Sequence, residues 1–266
     1  MLSAARRLPS STCLGLIFLS GLIAASPMLS AQPDPPMQTY AAVVSISGSP
    51  KLDGEALALR QKFDPNGLEI SQMHNEDLGL VLGNQISLFA SLGARWRVDA
   101  LSGTVRPQDS KPWIRETTRS QTHLRLDNGA LCFSANHLND ESIFSLTTPL
   151  GTLQISQATG IVKVVRRIVT ISIASGQVSF KTEYSENPLL IGNGEQIVLS
   201  DISAIQLDRL ERLPWVKDPA QTRQIQICKA NAQRVYFTKN SRNPSLVKRK
   251  LADILWIKPA SAPESL

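Results

Sequence analysis

The residues best able to do chemistry are few and scattered along the chain. Three histidines, His74, His123 and His137, stand without a His-x-x-x-His pair or an acid at ligand spacing. The sequence therefore offers no metal centre, and the three read as surface residues. A nucleophilic serine would sit in a Gly-x-Ser-x-Gly elbow between a strand and a helix. The nearest approach, Ala174-Ser175-Gly176, lies between two strand patterns and reads as a turn. Neither the P-loop nor the dinucleotide fingerprint occurs, so no cofactor is expected. Carboxylate pairs for glycosidic chemistry are assembled by folding and not by spacing. Asp140 with Glu141, and Glu183 with Glu186, are the nearest clusters, both in hydrophilic turns where solvated charge is the ordinary state. The expectation is a non-enzymatic chain with no catalytic, cofactor-binding or metal-ligating residue.

Cys132 and Cys228 are the other reactive side chains, apart from Cys13 near the start. Their compartment decides what they do, and the first 31 residues have the three zones of a cleavable signal peptide. Arg6 and Arg7 supply the basic start, with no acid before Asp34. Residues 13–25 (CLGLIFLSGLIAA) form an apolar core, short of the ~20 residues needed to cross a bilayer. Small residues lead to Ala31, after which cleavage is expected. Cys13 stands at the start of the core and not after it, so lipidation is not expected. The mature chain is expected to be periplasmic or secreted, without a transmembrane span. In that oxidising setting Cys132 and Cys228 are candidates for a disulfide. Two separately buried thiols are the other reading, since spacing does not show whether the two meet.

The formal net charge is +6 from 28 Lys and Arg against 22 Asp and Glu, and two of the arginines leave with the leader. So mild an excess excludes the basic stripe of a nucleic-acid binder. The 14 aromatic residues (Phe 7, Trp 4, Tyr 3) form no run that would stack sugars or bases.

Period-two alternation then dominates. After a proline-rich spacer over residues 32–39, it appears at Val44 and Ile46, Leu57 and Leu59, Leu68 and Ile70, and Leu78, Leu80 and Leu82. Strands follow over 85–89 and 95–98, with turn chemistry between the runs. Residues 104–122 lack either period and mix prolines with charge, reading as a loop or a linker between β halves at 40–103 and 123–201. The second half resumes with 123–127 and 130–134 flanking Asn128-Gly129, a strong local hairpin signal. Short strands follow over 143–147, 152–155, 161–165, 168–173, 177–182, 189–191 and 196–199. The segments 78–89 and 124–133 echo each other weakly, as two hairpins or as a repeat. The fold expected is mainly β, a stacked or sandwiched domain of short strands over 40–201.

Residues 202–266 form a C-terminal helical and tail region. Asp218-Pro219 is a helix start, and Ile225, Cys228, Ala232 and Val235 fall on one face of a helix over 219–233. On that face Cys228 would point inward, so a bridge to Cys132 would staple the helix to the sheet. The basic tail, with Lys248, Arg249 and Lys250 before LADILWI, is either a partner- or membrane-surface segment or an ordinary terminal element docked on the body.

The stretches FSLTTPLGT (144–152), SGQVSF (175–180) and GEQIVL (194–199) resemble the periplasmic domain of FecR-like proteins. Residues 43–98 are similar to that family's opening strands, so the resemblance covers about residues 42–201. Thr159-Gly160 stands where a second Gly-Thr pair is usual in the family. The resemblance implies an all-β periplasmic module that senses or scaffolds and does not catalyse. Family members of the regulator type relay an outer-membrane signal to a sigma factor through a spanning helix. With only residues 1–12 before a short apolar core, this chain is expected to keep the module without that route. The leading expectation is an exported binding or scaffold module of the cell envelope, its partner an unidentified envelope or extracellular protein or polymer. The alternatives are a signal-relay protein held in the inner membrane by an uncleaved leader, and a carbohydrate-active enzyme.

Overall fold

Period-two alternation marks many segments before Asp201, although β-type stretches such as 41–44 and 78–82 are buried on both sides, and the chain is mainly β. A computed structural model describes residues 36–108, 111–232, 235–240, 243–250 and 256–257; the leader and its cleavage site lie outside the described residues. The first strands are β1 (Pro36–Thr39), β2 (Ala41–Ser47), β3 (Lys51–Leu52), β4 (Glu55–Ala56), β5 (Lys62–Phe63), β6 (Glu69–Ser71) and β7 (Asp77–Leu82). Two long strands follow, β8 (Ser87–Gln108) and β9 (Lys111–Ser134). Next come β10 (Ile143–Thr148), β11 (Gly151–Ile155), β12 (Thr159–Val165), β13 (Ile168–Ser175), β14 (Val178–Lys181), β15 (Leu189–Ile191) and β16 (Glu195–Leu199). The C-terminal region holds α1 (Asp201–Ile205), β17 (Leu213–Pro214), α2 (Pro219–Ala232), β18 (Val235–Asn240), β19 (Asn243–Lys250) and β20 (Trp256–Ile257).

Eighteen of these strands hydrogen-bond into one open sheet, and β18 pairs with β19 in a separate two-stranded ribbon. The large sheet works as two layers because β8 and β9 bend together and serve both. The start of β8 pairs with β7, and the end of β9 with β12, giving a first layer that runs β2, β7, β8, β9, β12, β13, β16, β17. Beyond the bend, β8 pairs with β6, and β9 with β10 in parallel, giving a second layer that continues through β11, β14 and β15. Leu80, Val162 and Ile171 of the first layer and Trp96, Leu126 and Leu153 of the second belong to one buried cluster. Apolar burial of that extent, at about 25 cal/mol per Å², is what holds the layers together.

The bend occupies Asn128-Gly129, which the local chemistry had marked as a hairpin turn. It is not one: β9 runs straight through it. Gly129 has φ +87°, and opposite it Leu92 and Gly93 have φ +58° and +66°. The β8–β9 register shifts between Ser91 and Arg95, and Asn128 Nδ2 donates to the Gly93 carbonyl at 3.2 Å. Positive φ here turns a sheet corner through a paired bulge. The 78–89 segment is a true hairpin, closed by Leu82 N–H to the Ile86 carbonyl at 2.9 Å. The echo between 78–89 and 124–133 is therefore not a repeat.

Residues 104–108 and 111–122 are likewise not a loop but the distal part of the β8–β9 pairing, from Thr104↔Arg119 out to Gln108↔Lys111. Ladder hydrogen bonds do not need alternation, and β-branched threonines supply the propensity; Thr104 and Thr118 hydroxyls meet at 2.8 Å. The two β halves consequently contribute to one core, and β8 and β9 are far from short strands. Of the expected spacer, residues 36–39 form β1, paired with β8 and β20. In the tail, Trp256 and Ile257 dock as a strand, and Val235 begins β18 instead of extending the helical stripe.

Candidate functional site

The two layers have very different outer faces. On the first, α2 lies over β7, β8, β9 and β12. Asp218 caps its start: the Asp218 carboxylate accepts from Gln221 N–H at 2.6 Å, and its carbonyl accepts from Thr222 N–H at 3.0 Å. Trp215 anchors the approach, donating its main-chain N–H to the Gly194 carbonyl at 2.8 Å and its indole N–H to Gln221 Oε1 at 3.2 Å. Beneath the helix, Phe89, Cys132, Ile161, Trp215, Ile225 and Cys228 form a second buried cluster.

Cys132 and Cys228 are thus brought together, as two thiols and not as a bridge. Cys228 Sγ–H points to the Ser87 carbonyl at 3.1 Å and lies 3.7 Å from the Cys132 carbonyl oxygen. Burial, and then the neighbouring Cys228, push the Cys132 thiol well above its ordinary range. At the edge of α2, Ser45, Ile46, Asp77, Arg223, Gln224 and Ile227 line a groove of about 330 Å³. Burial raises the Asp77 carboxyl, and the Arg223 charge opposes that rise.

On the second layer, alternation turns polar side chains outward in register across five strands. Arg97 on β8 pairs with Arg125 on β9, Arg125 with Thr147 on β10, Thr147 with Thr152 on β11, and Thr152 with Lys181 on β14. The row beside it runs His123, Ser145, Gln154, Ser179. Arg125, Gln154 and Lys181 are exposed. Asp99, the bulged residue of β8, pairs with Arg97 and reaches Arg125 at 3.7 Å. Thr147 and Thr152 hydroxyls meet at 3.2 Å, and His123 Nδ1 lies 2.6 Å from Ser145 Oγ.

The end of this face deepens into an open cleft of about 610 Å³, lined by Thr147, Thr152, Gln154, Ser179, Lys181 and Glu183 among others. The TTPLGT stretch forms its rim. Thr148 Oγ donates to the Gly151 carbonyl at 2.9 Å, and Gly151, at φ +152°, lets β14 approach closely: a Cβ there would meet the Lys181 carbonyl oxygen at 2.4 Å. All three stretches that carry the FecR-like resemblance fall on strands or the turns between them: 144–152 on β10 and β11, 175–180 on β14, and 194–199 on β16.

The other residues singled out by type do not converge. Asp140 accepts from Gln157 Nε2 at 2.8 Å, and Glu141 N–H donates to Asn139 Oδ1 at 2.9 Å. Glu183 lines the cleft and, by hydrogen bonding, raises the Tyr184 phenol above its ordinary range. Glu186 lines a different pocket with Ile205 and Leu207. Ser175 Oγ is buried without a hydrogen-bond partner. Among the described residues no group of three or more His, Cys, Asp or Glu is placed to hold a metal ion, and no helix is long and apolar enough to cross a membrane. The polar face itself was missed by inspection of residue types. Its signal is the outward half of the alternation, which includes Ser145, Thr147 and Thr152 of the 144–152 stretch and Ser179 of the 175–180 stretch.

No protein-family model matches the chain, and no curated protein matches it. Two crystal structures described as a "putative anti-sigma factor from Parabacteroides distasonis ATCC 8503", at 1.65 and 2.50 Å resolution, are similar to it in structure. Each aligns over 65% of this chain and 68% of its own, at 18% identity and a TM-score of 0.38. A likeness of that size carries no functional argument.

Proposed function

We propose that this protein is an exported, non-catalytic β module of FecR-like type that binds another component of the cell envelope through the outer face of its second layer. One observation carries the reading. The first layer's outer face is covered by α2 and Trp215 over β7, β8, β9 and β12, whereas the second presents an in-register row from Arg97 to Lys181. Four strand spacings make that row about 19 Å wide. Arginine, lysine and threonine hydroxyls in such a row suit a partner that presents carboxylates or other polar acceptors. The resemblance of residues 42–201 to a periplasmic domain supports both the compartment and the binding role.

A photo-crosslinking side chain at Thr152, on the row, and another at Gln226, exposed on α2, test the face in cells that export the protein. The reading expects a discrete envelope adduct from position 152 and none from position 226. An adduct from 226 alone, or none from either, removes it.

The second reading is a FecR-type signal relay held in the inner membrane by an uncleaved leader. It is supported by the same motif stretches falling on β10, β11, β14 and β16. N-terminal sequencing of the envelope protein separates the two: Gln32 as first residue supports the exported module, and Met1 supports the relay.

A further inference from the structure

We propose that Cys132 and Cys228 close into a disulfide in the exported protein, a covalent staple between β9 and α2. Two independent pieces of local structure aim the side chains at each other. On β9, Cys132 lies in register between Phe89 of β8 and Ile161 of β12, the outward apolar strip of the first layer. On α2, the buried face runs through Ile225, Cys228 and Ala232, and Asp218 and Trp215 fix where the helix begins. Cys132 and Cys228 are 1% and 0% exposed, and the Cys228 sulfur lies 3.7 Å from the Cys132 carbonyl oxygen. The Cys228 sulfur thus lies against the main chain of Cys132 itself, and a bridge requires the two Cβ atoms to come within about 3.5–4.5 Å of each other.

The reaction is thiol–disulfide exchange with a disulfide-bonded donor, either an oxidoreductase of the export compartment or oxidised glutathione. One cysteine thiolate attacks a donor sulfur, and the donor's other sulfur leaves as a thiol. The second cysteine then attacks its partner in that mixed disulfide and releases the donor's remaining sulfur. The two cysteines together lose two protons and two electrons, and the donor disulfide is reduced to two thiols, on one oxidoreductase or on two glutathione molecules. No donor reaches the pair once α2 is seated, and burial also disfavours the thiolate. The bridge therefore forms before α2 docks, during folding outside the cytoplasm, and is afterwards shielded from reductants. The bridge is independent of the reading of the second layer's face; it fixes what covers the other one.

The full chain, exported through its own leader and quenched in acid, is denatured, alkylated without reductant and digested. The expected product is one peptide pair joined through Cys132 and Cys228, with neither cysteine alkylated. Reduction should split that pair, and protein reduced in denaturant and refolded should melt roughly 10 °C lower, the effect of opening a loop of about 100 residues. Alkylation of both cysteines in the exported, folded protein overturns the proposal. A bridge to Cys13, or between two chains, overturns it equally. Cys228→Ser exported in parallel should fold with an unchanged far-ultraviolet spectrum and lose the reductant-dependent shift; a shift that persists also counts against the bridge.

Discussion

Gly129 packs against the backbone of Ala94: a Cβ at Gly129 would come within 2.4 Å of the Ala94 Cα. That approach is where β8 and β9 cross from one layer to the other. Gly129→Ala adds both a positive-φ penalty and a clash with main chain that cannot move aside. The expected loss is about 3 kcal/mol. Gly54 has nearly the same φ, +88°, and nothing within 4 Å of its absent Cβ, so Gly54→Ala should lose only about 1 kcal/mol. Urea unfolding of the two variants checks the difference. Equal losses would show that φ alone matters and that the corner is not tightly packed.

How much of this was legible in the sequence follows from the same corner. From Ile143 to Leu199 the strands are short and most carry β-branched residues, so the apolar pattern and the turns between them locate β10 to β16 to within a residue or two. Asn128-Gly129 advertises positive φ, but that serves a bulged corner as well as a hairpin. The choice was made by residues 92–95, more than thirty positions away. The distal β8–β9 hairpin was illegible for another reason: its strands are defined by backbone pairing, which runs to Gln108↔Lys111 and needs no alternation in the side chains. The meeting of Cys132 and Cys228 was half-visible, through the helical stripe that turned Cys228 inward. The polar face became visible only once register placed Arg125, Thr147, Thr152 and Lys181 side by side.

The start of α2 should be separable from its buried face. Asp218→Ala removes the carboxylate that accepts from Gln221 N–H and should cost about 1 kcal/mol. Trp215→Ala removes a buried indole and its hydrogen bond to Gln221, with an expected cost of about 3 kcal/mol. Limited proteolysis provides the readout: cleavage within 217–232 should rise strongly in the Trp215 variant and slightly in the Asp218 variant. The reverse order would mean that the cap, and not packing, holds the helix down.

Adjacent acids on β7 and its approach should titrate with opposite consequences. Glu76 accepts from Met73 N–H and Ser49 N–H, both at 2.8 Å, and these bonds hold its carboxyl below the usual value of 4.5. Its stabilisation is present above pH 4.5 and is lost as pH falls through the lowered folded-state value. Asp77 is raised above 3.8 by burial, so its contribution is present below pH 3.8 and is lost as pH rises through the raised value. Glu76→Gln should therefore lose about 2 kcal/mol at pH 7 and flatten the acid limb of the stability curve. Asp77→Asn should leave the acid limb in place and not destabilise at pH 7. Urea midpoints from pH 3 to 7 test both signs.

The outward row of the second layer should be nearly free of stability and rich in binding consequence. Asp99 sits between Arg97 and Arg125, but side chains on this face are 31% to 45% exposed, where ion pairs are screened and contribute about 0–1 kcal/mol. Arg125→Ala and Lys181→Ala should keep the melting temperature within about 2 °C of the parent. Either change removes a donor from the row, so adduct yield from a crosslinker at Thr152 should fall severalfold, and further in the double variant. Raising salt from 0.05 to 0.5 M should weaken the parent's adduct through screening and change the double variant's little. A crosslink untouched by both substitutions would place the partner elsewhere on the molecule, and a large loss of stability would show the row to be part of the fold's own support.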